Sequence, residues 1–124
     1  MEHRSPRKYG KQQEESKIAG VVVPFLKERG WHVERLPMGL LQSGLPDYYI
    51  SHSNFGMKFL ELKTYKGNFT EAQLRKFPIL HNNGTLIYIM RGVEDYDLLF
   101  GPPNWMNFIP CGTSVLKTLR QPKR

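Results

Sequence analysis

Apolar residues near the start of the chain recur with helical spacing. Between Gln12 and Arg29 the positions Ile18, Val21, Val22, Phe25 and Leu26 follow a period of about 3.6 residues, and Gly30 supplies a stop. Pro24 interrupts this run, with Gly20 four residues before it. A proline inside a helix removes one hydrogen bond and crowds the preceding turn, so a kink near Val21–Val23, or two shorter helices, is expected. Trp31 to Leu36 then reads as a strand, and the stretch from Gly39 to Pro46, with its further glycines, as a loop. Tyr48–His52 and Met57–Thr64 are two more strands. The residues between them, Ser53-Asn54-Phe55-Gly56, have the composition of a hairpin turn, which predicts antiparallel pairing.

Lys66-Gly67-Asn68 breaks the pattern again. Thr70-Glu71-Ala72-Gln73 then has the form of a capping box and opens a helix running to about Asn82, with Gly84 after it. Thr85–Met90 is a continuous apolar run, as in strands buried on both faces. A strand, a helix and a buried strand in that order imply parallel pairing through a right-handed crossover. Tyr96–Phe100 is read as an edge strand. The predicted order is therefore α-β-β-β-α-β, an α/β (α+β) fold with a mixed β-sheet flanked by helices.

Composition narrows the partners. The chain has 124 residues, enough for one core, and 40% hydrophobic content makes global disorder implausible. Its formal charge is +7, and the excess sits at the ends. Arg4, Arg7, Lys8 and Lys11 face only Glu2 in residues 1–11; Lys117, Arg120, Lys123 and Arg124 face no acid in residues 117–124. Basic ends of this kind predict attraction to nucleic acid. Lys66, in the break after the third strand, is counted with these eight as a DNA contact. Residues 1–11 are read as a flexible basic arm, 12–100 as the domain, and 101–124 as a C-terminal extension with a basic tail. Cys111 stands alone, so no internal disulfide is expected, and the four histidines lack zinc-ligand spacing. No apolar run approaches membrane-spanning length and none follows the charged N-terminus as a secretory signal would, so a cytoplasmic protein without a membrane partner is expected.

The chemistry gathers on the predicted hairpin. Glu61 and Lys63 are two apart on one strand and share a face, while Leu60, Leu62 and Thr64 take the other. With the turn near Phe55, the register sets Asp47 opposite Glu61–Lys63. Two adjacent carboxylates repel and are relieved by a divalent cation or a shared proton. With a backbone carbonyl such as that of Leu62 they form an all-oxygen set suited to Mg²⁺, or Mn²⁺ as a substitute, and unsuited to zinc. Such an ion beside a lysine is what phosphodiester hydrolysis requires: charge stabilisation at the phosphoryl oxygens and an activated water.

Gly44-Leu45-Pro46-Asp47, Phe59-Leu60-Glu61-Leu62-Lys63-Thr64 and Lys66-Gly67-Asn68-Phe69-Thr70-Glu71-Ala72-Gln73 together resemble the signature of the PD-(D/E)xK nucleases, and more narrowly its VRR-NUC branch. The likeness spans roughly Glu14 to Gly92. It implies a restriction-endonuclease-like core and a Mg²⁺-dependent DNA endonuclease related in fold to Holliday junction resolvases; the compact format suits a bacteriophage or a mobile element as well as a bacterial genome. The resemblance further implies Asp47 and Glu61 as metal ligands, Lys63 as the catalytic lysine, Gln73 as an active-site glutamine, and Glu15, or its neighbour Glu14, as a ligand from the first helix. By analogy with junction-cleaving relatives, a homodimer acting on branched DNA is expected. The alternatives are a non-catalytic DNA-binding module with the same fold, and a sequence- or mismatch-directed nuclease.

Other features have plainer readings. Gln73 also suits the capping box as partner of Thr70, and Glu14 and Glu15 suit a charged first turn. His81-Asn82-Asn83 is read as a helix end, Glu94-Asp95-Tyr96-Asp97 as a solvated turn, and Tyr65, Phe69 and Trp105 as core-filling aromatics.

Overall fold

The computed structural model describes residues 6–37 and 44–109, with side chains from Ser16 onward. The first helix, α1, spans Pro6–Glu28. It starts six residues before the expected Gln12, so residues 6–11, read from sequence as part of an arm, are helical; proline at a helix start loses no bond and arrives with a helical φ. It also runs through Pro24 without dividing. Pro24 and Gly20 are both exposed, so the Gly20 carbonyl that lacks a donor faces water rather than the core. Val22 and Leu26, four residues apart, are completely buried, whereas Val21 is left exposed. The helix ends on Gly30 at φ 92°. The Gly30 amide donates to the Lys27 carbonyl (3.1 Å) and the Trp31 amide to the Leu26 carbonyl (3.1 Å), a Schellman closure that brings Trp31 against Leu26.

Strands β1 (His32–Arg35), β2 (Tyr48–His52), β3 (Gly56–Leu62) and β4 (Ile87–Met90) form one sheet in the order β1-β2-β3-β4. β1–β2 and β2–β3 pair antiparallel, and β3–β4 pairs parallel across α2 (Glu71–Asn82). The hairpin and the parallel strand thus appear as the apolar pattern predicts. At the hairpin, Tyr48 lies opposite Leu60 and His52 opposite Gly56. Its tip is held by rings: Phe55 stacks 6.0 Å from Trp31 and meets Phe100 edge-on at 4.8 Å.

Both faces of the sheet are covered. On one, Val22 and Leu26 of α1 meet Ile50, Leu60, Leu62, Tyr88 and Met90. On the other, Phe77 of α2 meets Ile87, Ile89 and Trp105. The alternation along β4, Ile87 and Ile89 one way and Tyr88 and Met90 the other, is why its sequence is apolar throughout.

Residues after β4 depart from expectation. Tyr96–Phe100 is no strand: Val93–Phe100 is a 3-10 helix. Tyr96 and Leu99, three apart, lie on one side of a three-residue turn, and both pack on the α1 face. Asp95, expected in a solvated turn, is buried; its Oδ2 accepts from the Arg91 amide at 2.8 Å and lies 3.4 Å from Arg91 Nε. A second 3-10 helix, Trp105–Phe108, inserts Trp105 completely into the α2-side core. Asn104, before it, is bonded through its side chain to both backbone groups of Ile89: Oδ1 accepts from the amide at 2.7 Å and Nδ2 donates to the carbonyl at 3.2 Å. Among the described residues no helix is long and apolar enough to cross a membrane.

Candidate active site

The start of β2, the end of β3 and the first turn of α2 meet on the sheet face that carries Phe77. Continuing the ladder one step beyond Tyr48 and Leu60 sets Asp47 opposite Glu61, and the side chains close that step. The Asp47 amide donates to Glu61 Oε1 (3.2 Å), and the Leu62 amide donates to Asp47 Oδ2 (3.1 Å). Each residue thus anchors the other's strand. Gly44 sets the approach of this segment. Its φ is +91°, and a Cβ there would lie 2.7 Å from the Ala72 carbonyl oxygen in α2, so only glycine lets the chain pass so close to the helix before turning into Pro46-Asp47.

The first turn of α2 supplies Gln73. Thr70 and Gln73 form the expected capping box: the Gln73 amide donates to Thr70 Oγ1 (3.1 Å) and the Thr70 amide to Gln73 Oε1 (3.1 Å). The same side chain reaches into the site, where its Nε2 donates to Glu61 Oε2 (2.9 Å) and its Oε1 accepts from Lys63 Nζ (3.0 Å). The two roles read from sequence therefore belong to one amide. The Lys63 ammonium is fixed by three oxygens, Gln73 Oε1, the Asn68 carbonyl (3.0 Å) and Glu61 Oε2 (3.3 Å), with the Phe69 ring 5.3 Å away. Glu61, Lys63 and Gln73 are all buried, and no buried side-chain polar atom among the described residues lacks a partner.

The electrostatics follow from this enclosure. Burial, then the neighbouring Asp47 charge, raises the Glu61 carboxyl to about 7, against the lowering pull of Lys63 and Gln73. Asp47 is also raised, chiefly by burial, while the Leu62 amide, Arg35 and Lys63 act to lower it. Two adjacent carboxyls that hold protons tightly, with the Lys63 ammonium compensating only part of their charge, form an oxygen set that a hard divalent cation would fit in the proton's place. Asp47 and Glu61 are the two carboxylates present. Among the described residues no set of three or more His, Cys, Asp or Glu side chains gathers as a metal group.

The remaining sequence-derived residues fall elsewhere. Glu14 and Glu15 belong to α1, but their side chains lie outside those described, as do those of Arg7, Lys8 and Lys11. Arg4, Lys117, Arg120, Lys123 and Arg124 lie outside the described residues altogether. Leu62 ends β3 between Glu61 and Lys63, and Lys66 is exposed on the turn just beyond. Of the three aromatics, Trp105 fills the core and Phe69 packs against it, but Tyr65 is 65% exposed, contrary to the core-filling reading. His81 ends α2 as expected, its Nδ1 accepting from Trp105 Nε1 at 3.2 Å.

Two site residues escaped the sequence reading. The Asn68 carbonyl, in a segment read as a break and as part of the family signature but with no role of its own, is a backbone group with no residue-type signal. Arg35 was legible in principle: it pairs with Tyr48 across β1–β2, one step from Asp47. No family model, curated protein or solved structure matches the chain.

Proposed function

We propose that the protein is a Mg²⁺-dependent endonuclease that hydrolyses DNA phosphodiesters, built on a restriction-endonuclease-like core. The observation that supports this best is the convergence of Asp47, Glu61, Lys63 and Gln73, drawn from three elements, into one hydrogen-bonded cluster. Asp47 and Glu61 would hold the ion, with the Leu62 carbonyl and Glu15 as further oxygen donors. When bound, the ion neutralises charge on the phosphoryl group and acidifies water. The chain's own residues do the rest. Lys63, held by Gln73 and Asn68, offers a fixed ammonium to the attacking water or to the negative charge that grows in the transition state. Gln73 aligns the Glu61–Lys63 ion pair by donating to the carboxylate and accepting from the ammonium. The expected products carry a 5′-phosphate.

Branched DNA, such as a four-way junction, is the proposed substrate class, cut by a homodimer whose two sites match the junction's two-fold symmetry. The proposed setting is the cytoplasm of a bacterial cell or of a phage-infected host. The test is incubation with four-way junction, flap, single-stranded and plain duplex DNA, with Mg²⁺ or EDTA, beside Asp47→Ala. Mg²⁺-dependent cutting that Asp47→Ala abolishes is expected, fastest on branched DNA. Full activity in Asp47→Ala would sink the assignment, and binding without cutting under any condition would favour the non-catalytic module. A monomer by sedimentation would remove the dimer.

A further inference from the structure

The sheet end that carries Asp47, Glu61 and Lys63 also holds an aromatic ring outside the core. Residues 64–67 form a turn closed by the Gly67 amide donating to the Thr64 carbonyl at 3.0 Å, and Tyr65 stands at its first corner, 65% exposed. The ring is nevertheless fixed. Its hydroxyl donates to Glu94 Oε2 at 2.6 Å, and the Arg91 guanidinium lies 4.3 Å from its centroid. Arg91 is itself held by Asp95 and lies 4.9 Å from the Phe108 ring, so Tyr65, Arg91 and Phe108 form a layered stack rooted in the α2-side core. With Arg91 against one face and most of the residue exposed, the other face of Tyr65 is open to solvent. A ring already held in place loses little side-chain freedom when a planar group stacks on it.

The surrounding charges decide what that group is. Glu94 and Asp95 beside the stack disfavour a phosphate on the ring, whereas an uncharged planar group meets no such penalty. Lys66, the next residue of the turn and exposed, offers a point charge for the flanking phosphodiester. An aromatic face followed by a basic side chain is the arrangement by which single strands are held. Bases inside a duplex have both faces covered by their neighbours, so the open ring face is available only to an unpaired one. The same turn leads into Asn68, whose carbonyl holds Lys63, which ties the stack to the catalytic cluster.

Resting on the nuclease reading above, we propose that Tyr65, backed by Arg91, is the stacking site for an unpaired nucleobase beside the catalytic centre, so that among branched substrates those bearing a single-stranded segment, such as a flap, are preferred over the fully paired four-way junction. The test compares the full chain with Tyr65→Ala and Tyr65→Phe in EDTA, where no cutting occurs. Affinity is read by anisotropy for a labelled single-stranded oligothymidine carrying one 2-aminopurine and for a labelled hairpin duplex, and stacking by quenching of the 2-aminopurine. The full chain quenches the probe. Tyr65→Ala lowers the ratio of single-strand to duplex affinity about 5- to 150-fold, the range for loss of one stacked base, and abolishes the quenching. Tyr65→Phe, which keeps the ring and loses the Glu94 bond, retains both. No quenching by the full chain, or an unchanged affinity ratio in Tyr65→Ala, overturns the proposal. A Mg²⁺ arm separates the two readings: a full chain that quenches the probe but cuts no DNA removes the nuclease and leaves the stacking site. Cutting of flap and plain duplex in the same ratio by full chain and Tyr65→Ala does the reverse.

Discussion

A carboxyl as enclosed as Glu61 gives up its proton reluctantly, and the fold bears the consequence. Its folded value of about 7 stands above the ordinary 4.5. Below pH 4.5 folded and unfolded chains both hold the proton, and the stabilising difference is fully present. As pH rises through 7 the folded state must release it to solvent and leave a charge in a buried site, and that stability is lost, on the order of 3 kcal/mol at 1.4 kcal/mol per unit. The raised Asp47 acts with the same sign. The metal-free protein should therefore melt at a lower temperature at pH 8 than at pH 5.5, and Mg²⁺ should raise the melting temperature more at pH 8. Glu61→Gln should flatten the pH dependence, whatever its absolute stability; thermal melts across this pH range check all three. Residue by residue, the site was largely readable: Asp47, Glu61 and Lys63 could be brought together by strand alternation and one turn position. Both roles of Gln73 were read as well, the capping box from local spacing and the place in the site from the family resemblance. What local spacing alone does not give is its bonds to Glu61 and Lys63, because a capping box accounts for that residue without any reference to the strand beneath it.

Between elements, the joint that matters is the start of α2. Thr70 caps the helix and at the same time accepts from the residue that aligns Glu61 and Lys63. Thr70→Ala should cost about 1 kcal/mol of stability, as lost N-caps do, and lower the cleavage rate beyond what its folded fraction explains. Thr70→Ser should restore both. Denaturant unfolding beside single-turnover cleavage separates the two effects. The elements themselves were legible where pattern and turn chemistry agreed, as in the β2–β3 hairpin and α2. They were not legible after Met90. Tyr96–Phe100 has the apolar content of a strand, but its burial follows a period of three, set by Asp95 folding back on Arg91. Trp105 was read as core-filling and is completely buried, but nothing local in Asn104 announces a side chain that pairs with a strand.

For the whole molecule, charge and chemistry are divided. Residues 12–116 hold ten acids and ten bases, and the excess of bases lies at the two ends. If Asp47, Glu61 and Glu15 are engaged with a cation, seven acids remain in residues 12–116 against ten bases, one of which is the buried Lys63. Removing residues 117–124 takes away four bases and no acid, which should lower the slope of log affinity against log salt by up to about 3 to 4. The rate of cutting at saturating DNA should stay as it was. A salt titration of DNA binding checks the slope.

Asn104 has a consequence for how the molecule meets others of its kind. Among the described residues β4 is the last strand of the sheet, and an outer strand ordinarily offers its free amides and carbonyls as a template on which a further chain can assemble. At Ile89 both groups are already taken by one carboxamide. The side chain acts as a one-residue strand that ends the sheet, so self-association by sheet extension is blocked at the centre of this edge.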